Sequence, residues 1–177
     1  MNFNSLSIYG SDGIRLPSGY RLTGIPDRVL NAAYASSGPA VQTITSLTPV
    51  TITGLSIAYT PLSSTSTILI YASISHSCTN YIGFGVFRDG AATVSTTGQT
   101  NNNEANMQVT YFIGNDATLL HNSHVMHYET SGSTTARTYD IRATGTTGAG
   151  VATTLYINNR NTTDMASFSQ MVLLEIS

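Results

Sequence analysis

From residue 41 onward, apolar side chains recur at every second position in short runs, and clusters of Gly, Ser, Thr and Asn separate the runs. Period two is the signature of a strand with one face turned to a core. The runs fall at residues 41–47, 51–60, 67–75, 81–88, 107–113, 125–129, 138–143, 153–158 and 170–176. In the third run Ile68, Ile70, Ala72 and Ile74 share a face. In the fourth, Ile82, Phe84 and Val86 do, and Gly83 and Gly85 lie opposite, where another backbone can approach. Arg88-Asp89-Gly90 marks a tight hairpin turn, and Gly145 to Gly150 reads as a hairpin loop. No helix of convincing length and no long repeat is present. Short strands at this spacing predict an all-β chain, a jelly-roll-like sandwich of about 8–10 antiparallel strands.

The last run departs from simple alternation. Met171-Val172-Leu173-Leu174-Glu175-Ile176 is apolar on both faces, as in a strand covered on both sides. Two readings fit: a strand deep in the core, or a second face covered by a neighbouring subunit. Residues 1–40 differ again. They hold Pro17, Pro26 and Pro39, turn signals, and short apolar pieces around Leu6, Ile14 and Tyr20. Such pieces are too short to form an independent sheet. Hence residues 1–40 are expected to be an attachment arm and linker, and residues 41–177 the sandwich. The competing reading makes the arm a first hairpin of the sandwich.

Charge changes the picture. Only 9% of residues are charged, the net charge is −2, and every Lys/Arg position is Arg. Ordinary soluble domains carry about 25% charged residues. A hydroxyl- and amide-rich surface has little self-repulsion to keep copies apart, which favours an assembly subunit. Scattered arginines without lysine exclude a phosphate-binding surface, so no nucleic-acid partner is expected. No apolar run approaches the roughly 18 residues that cross a membrane, and Met1-Asn2-Phe3-Asn4-Ser5-Leu6 lacks the form of a signal peptide.

Several segments resemble virion proteins of tailed phages. They are Ile14-Arg15-Leu16-Pro17-Ser18-Gly19-Tyr20, then Leu55 to Ile70 with its Thr60-Pro61 and Ser-rich turn, Phe87-Arg88-Asp89-Gly90, Thr138-Tyr139-Asp140-Ile141 and the closing Met171 to Ile176. The resemblance covers Ile14 to the end of the chain. It implies a trimeric jelly-roll domain similar in shape to C1q and tumour-necrosis-factor heads, as in capsid decoration (cement) proteins or fibre tips. No fibre shaft accompanies it, which favours decoration.

Candidate chemistry is sparse. His121, His124 and His127 are the one metal-like cluster, but strand residues three apart point to opposite faces. A threefold axis gathering one His per copy is the remaining route to a metal. Cys78 lies two residues from His76, without an orienting third group for a thiol nucleophile. Glu104, Glu129, Asp140 and Asp164 are the acids available for glycan hydrolysis. None of these signals is specific, so no enzyme activity, cofactor or metal is expected.

The sequence therefore predicts a homotrimeric virion decoration protein, assembled in the host cytoplasm, whose partners are itself and the major capsid protein or other virion proteins. Phe3, Leu6, Ile8, Ile14, Leu16 and Tyr20 would dock the arm on the shell. Tyr71, Phe84, Val172, Leu174 and Ile176 would form the trimer interface. The alternative is a receptor-binding tip that recognises host surface glycan through loops 99–106 and 132–136.

Overall fold

The alternation seen in sequence closes into two antiparallel sheets packed face to face in the computed structural model, which describes residues 28–93, 107, 109–112, 118–147, 150–160 and 166–177. The strands are β1 (Val29–Ser37), β2 (Gln42–Thr45), β3 (Val50–Tyr59), β4 (Thr67–Cys78), β5 (Tyr81–Arg88), β6 (Ala91–Ala92), β7 (Val109–Phe112), β8 (His121–Thr130), β9 (Arg137–Thr146), β10 (Thr154–Ile157) and β11 (Ser169–Ile176). A six-stranded sheet runs β1-β11-β4-β10-β2, with β8 also paired to β4. Since β11 and β8 pair with the same residues of β4, they flank it on opposite sides. The second sheet runs β3-β9-β5-β6, with β7 also on β5. The chain is an all-β, jelly-roll-like sandwich.

Between the sheets lies one apolar core that includes Ile52, Ile70, Phe84, Tyr139, Ile141 and Leu173, all shielded from solvent. Every inward position of β3 from Leu55 to Tyr59 alternates with an exposed one, as a half-buried strand requires. The β5–β6 turn has Asp89 at φ 51° and Gly90 at φ 84°. Positive φ at both central residues is the type I′ geometry that follows the twist of a hairpin.

Two expectations change. Residues 29–37, expected in an arm and linker, form β1, hydrogen-bonded along its length to β11. Asn158 helps hold it there: its side-chain amide donates to Ser37 Oγ and to Gly38 O, each at 2.8 Å. Second, the described atoms nearest a Cβ at Gly83 belong to side chains, with Met107 Cγ at 2.6 Å and Thr144 Oγ1 at 3.0 Å. The stretch at 145–150 leads from β9 to β10, and Thr146 pairs antiparallel with Ala152 across it, as a hairpin loop does. The arm positions Phe3, Leu6, Ile8, Ile14, Leu16 and Tyr20 lie outside the described residues.

Candidate functional site

The outer faces of the two sheets differ in kind. On the five-stranded sheet, Thr51 lies opposite Arg142, Ser56 opposite Asp140 and Ala58 opposite Thr138. Arg142 Nε donates to Asp140 Oδ2 at 2.6 Å, Thr51 Oγ1 to the same oxygen at 2.9 Å, and the guanidinium covers the Phe87 ring at 4.6 Å. This face carries charge, with Asp140 and Phe87 buried beside Arg142.

Across β1, β11, β4 and β8 the register builds two apolar rows. Ala32, Leu174, Leu69 and Tyr128 form one, and Tyr34, Val172, Tyr71 and Met126 form the next. Residues directly opposite in an antiparallel pair point to the same side. On this side Tyr128 is 71% exposed, Met126 63% and Tyr34 60%. Val172, Leu174 and Ile176 are half-buried by these neighbours, while Met171, Leu173 and Glu175 turn into the core. A third row, Ser36, Gln170, Ser73 and His124, borders the patch. Among the described residues, no Asp, Glu, Lys or Arg sits in these rows. The face is apolar and uncharged.

Of the expected interface residues, Tyr71, Val172, Leu174 and Ile176 thus come together on one surface. Phe84 does not: it is fully buried in the chain's own core, where it packs against His76 at 5.0 Å between ring centroids, and no second copy can reach it. Tyr34, Met126 and Tyr128 belong to the surface as well.

The carboxylates next to the face serve the fold. Glu175 is fully buried and accepts hydrogen bonds from Ser66 Oγ (2.5 Å), Tyr59 OH (2.6 Å), Leu62 N (2.9 Å) and Ser63 N (3.0 Å). Burial pushes its pKa up, but these donors outweigh burial and hold it below the usual glutamate value. Burial and the Glu175 partner raise the Tyr59 hydroxyl. Glu129 accepts from Tyr139 OH (2.6 Å) and Arg88 Nη1 (2.7 Å); again burial raises its pKa and the donors bring it below normal. Tyr139 is pushed up to about 12, by burial and then by Glu129. The Ser-rich turn and the closing strand, separate in sequence, therefore meet through Glu175. Asp89 likewise accepts from Thr138 N at 2.7 Å, joining two further segments.

The histidines divide by face. His121 lies opposite His76 and His127 opposite Ile70, all turned inward, whereas His124 faces out and stacks on Tyr71 with ring centroids 5.7 Å apart. Among the described residues no three His, Cys, Asp or Glu side chains gather as a metal would need. Cys78 is fully buried, and burial pushes its thiol up in pKa, away from the thiolate a nucleophile requires. Asp140 is engaged by Arg142 and Thr51, and Glu104 and Asp164 lie outside the described residues. So does loop 99–106, whereas the exposed loop 132–136 is braced by Arg137 Nη2, which donates to Ser131 O and Ser133 Oγ.

No protein-family model matches the chain, and no curated protein matches it in sequence. Among solved structures it is similar to a chain in the structure of infectious bursal disease virus Gt strain, with a TM-score of 0.38 and 10% identity over 93% of this chain. It spans 42% of that chain. At that level of similarity, function is read from this chain's own residues.

Proposed function

We propose that the chain is a non-enzymatic virion structural protein, a homotrimeric decoration subunit that binds and stabilises an assembled shell. The observation that carries the assembly part is the uncharged apolar face of β1, β11, β4 and β8. An antiparallel sheet with one solvated face normally alternates apolar-in and polar-out. Here Leu69, Tyr71, Val172, Leu174, Met126 and Tyr128 break that rule on adjacent strands. Contiguous apolar patches of this kind mark interaction surfaces, and the low charge of the whole chain removes the usual repulsion between copies. The trimer and the particle are supported by the resemblance of the Ser-rich turn, the Arg88-Asp89-Gly90 hairpin and the closing strand to phage virion domains.

Leu174→Glu tests the assembly reading. Leu174 points outward at the centre of the face, opposite Ala32 and Leu69, so the variant keeps its core. Burying an unpaired carboxylate in a covered interface costs several kcal/mol. In solution the natural chain is expected at three times its 18.8 kDa mass and the variant at one. A natural chain that stays a monomer at high concentration overturns the reading.

A further inference from the structure

A half-buried strand is normally anchored by apolar side chains on its inward face. The inward side chains of β8 are His121, Ser123, Val125, His127 and Glu129, and of these only Val125 is apolar. We propose that β8 is an acid-released strand: protonation of His76, the buried histidine opposite it on β4, frees β8 while the rest of the sandwich stays folded. The proposal concerns the single chain and stands apart from its assembly.

His76 lies directly opposite His121 in the register of β4 and β8, with ring centroids 6.1 Å apart and planes at 24°. Its Nε2 is 2.8 Å from Ser123 Oγ, and the ring packs on Phe84 of β5 at 5.0 Å between centroids. The side chain is fully buried. On β4 itself Ile74 and Cys78 share its face, and on β10 Ile157 lies opposite. His121 is the titratable neighbour from β8, and burial keeps the Cys78 thiol protonated. Tyr81 of β5 and Tyr156 of β10 alternate to the outer faces of their sheets. The described carboxylates are engaged elsewhere: Glu129 by Arg88 and Tyr139, Glu175 by Tyr59, Asp140 by Arg142, and Asp89 by Thr138 N. Arg137 is drawn to Glu129 as well. None of these carboxylates is placed to pair with a charged His76.

A proton on His76 therefore places an unpaired charge in the core, which is strongly disfavoured. Burial, and then the His121 ring, lower the pKa of His76 to about 3 in the closed sandwich. Release of β8 takes His121 and Ser123 from the ring and admits water, so the ordinary value of about 6.5 returns. Between those values the released form binds more protons than the closed one. Opening is then favoured by about tenfold for each pH unit lost. Which strand opens follows from the pairing. β4 is held on its other side by β11 and β10, whereas β8 pairs, among the described strands, with β4. Peeling β8 away surrenders the fully buried Val125, while peeling β11 would surrender both Met171 and Leu173 and strip the core. β8 also carries Met126 and Tyr128, so its release removes both from the apolar face.

Hydrogen exchange of the full chain, corrected for the intrinsic pH dependence of exchange, tests this between about pH 6 and about pH 4.5 at several low urea concentrations. Protection of the β8 amides that bond to β4 should fall by about tenfold per pH unit. It should respond only weakly to urea, because a local opening exposes little surface. Amides of β3 and β9, which open with the whole sandwich, should respond strongly to urea. His76→Gln keeps a partner for Ser123 and cannot take up a proton in this range, so its β8 protection should stay level with pH. Natural β8 protection that is level with pH, or that is lost only together with β9 under urea, overturns the proposal. An unchanged fall in His76→Gln overturns it too. The natural chain alone decides the first two outcomes.

Discussion

His76 and Glu175 are both fully buried ionisable groups, with opposite consequences for stability. The His76 ring packs between Phe84 and His121, with Nε2 2.8 Å from Ser123 Oγ and no partner for Nδ1. Burial, and then the neighbouring His121, lower its pKa to about 3. An unfolded histidine takes up its proton near pH 6.5. Between those two values the unfolded chain binds more protons than the folded one, so stability falls as pH drops, by about 1.4 kcal/mol per pH unit. Glu175 and Glu129 act lower. Their folded pKa values lie below the ordinary 4.5, so their contribution is present above that pH and is lost as pH falls through the lowered values. Urea denaturation of the natural chain between pH 6.5 and 4.5 should show the histidine slope alone. The double variant His76→Leu, Ser123→Ala should be flat over the same window; an unchanged slope would mean that another group titrates.

At the scale of strands, Gly54 shows what joins β1 to the sandwich. It sits at φ 85° where the register of β3 against β9 shifts between Thr51 and Ser56. A Cβ at that position would stand 2.7 Å from the Ser36 carbonyl oxygen of β1. Both the left-handed backbone and the contact with backbone atoms exclude a side chain. Gly54→Ala is expected to cost about 1–3 kcal/mol and to speed hydrogen exchange in β1 before other strands; an unshifted urea midpoint would refute this. Neither feature was legible from residues alone. Strands β3, β4 and β5 were, because bulky apolar residues alternate there, and β11 was, because its continuous apolar run ends the chain. β1 was not, because its inward positions are filled by small Ala33 and Ala35 and its outward ones by Ala32 and Tyr34. On β8 the alternation is inverted: His121, Ser123, His127 and Glu129 point inward at a sheet edge while Met126 and Tyr128 point out. Only residues 125–129 were therefore expected as strand.

For the whole molecule, the two-faced closing strand was the clue that carried furthest. Val172, Leu174 and Ile176 do face outward, beside Tyr71. Tyr34, Met126 and Tyr128 could not be added from sequence, since which strands lie side by side is decided by the crossovers and not by local pattern. Phe84 shares its face with Ile82 and Val86, and that shared face is the core. In the proposed assembly sister copies cover this face, and attachment to a shell falls to residues outside the sandwich. Arg28 N and O meet Ser177 beside the edge strand β1, and residues 1–27 lie outside the described residues. A trimer would present three such segments, and three weak contacts tethered together bind far more tightly than one. Binding only the assembled shell stabilises it by mass action, as RT ln(1 + [L]/Kd). Deleting residues 1–27, which stops short of β1, should leave the solution mass an intact oligomer while abolishing both particle binding in co-sedimentation and the rise in particle melting temperature. If the truncated chain still binds particles, the sandwich itself is the attachment surface; if particle binding is confined to the tail, with loop 132–136 required for it, the glycan-recognising tip takes the place of the decoration protein.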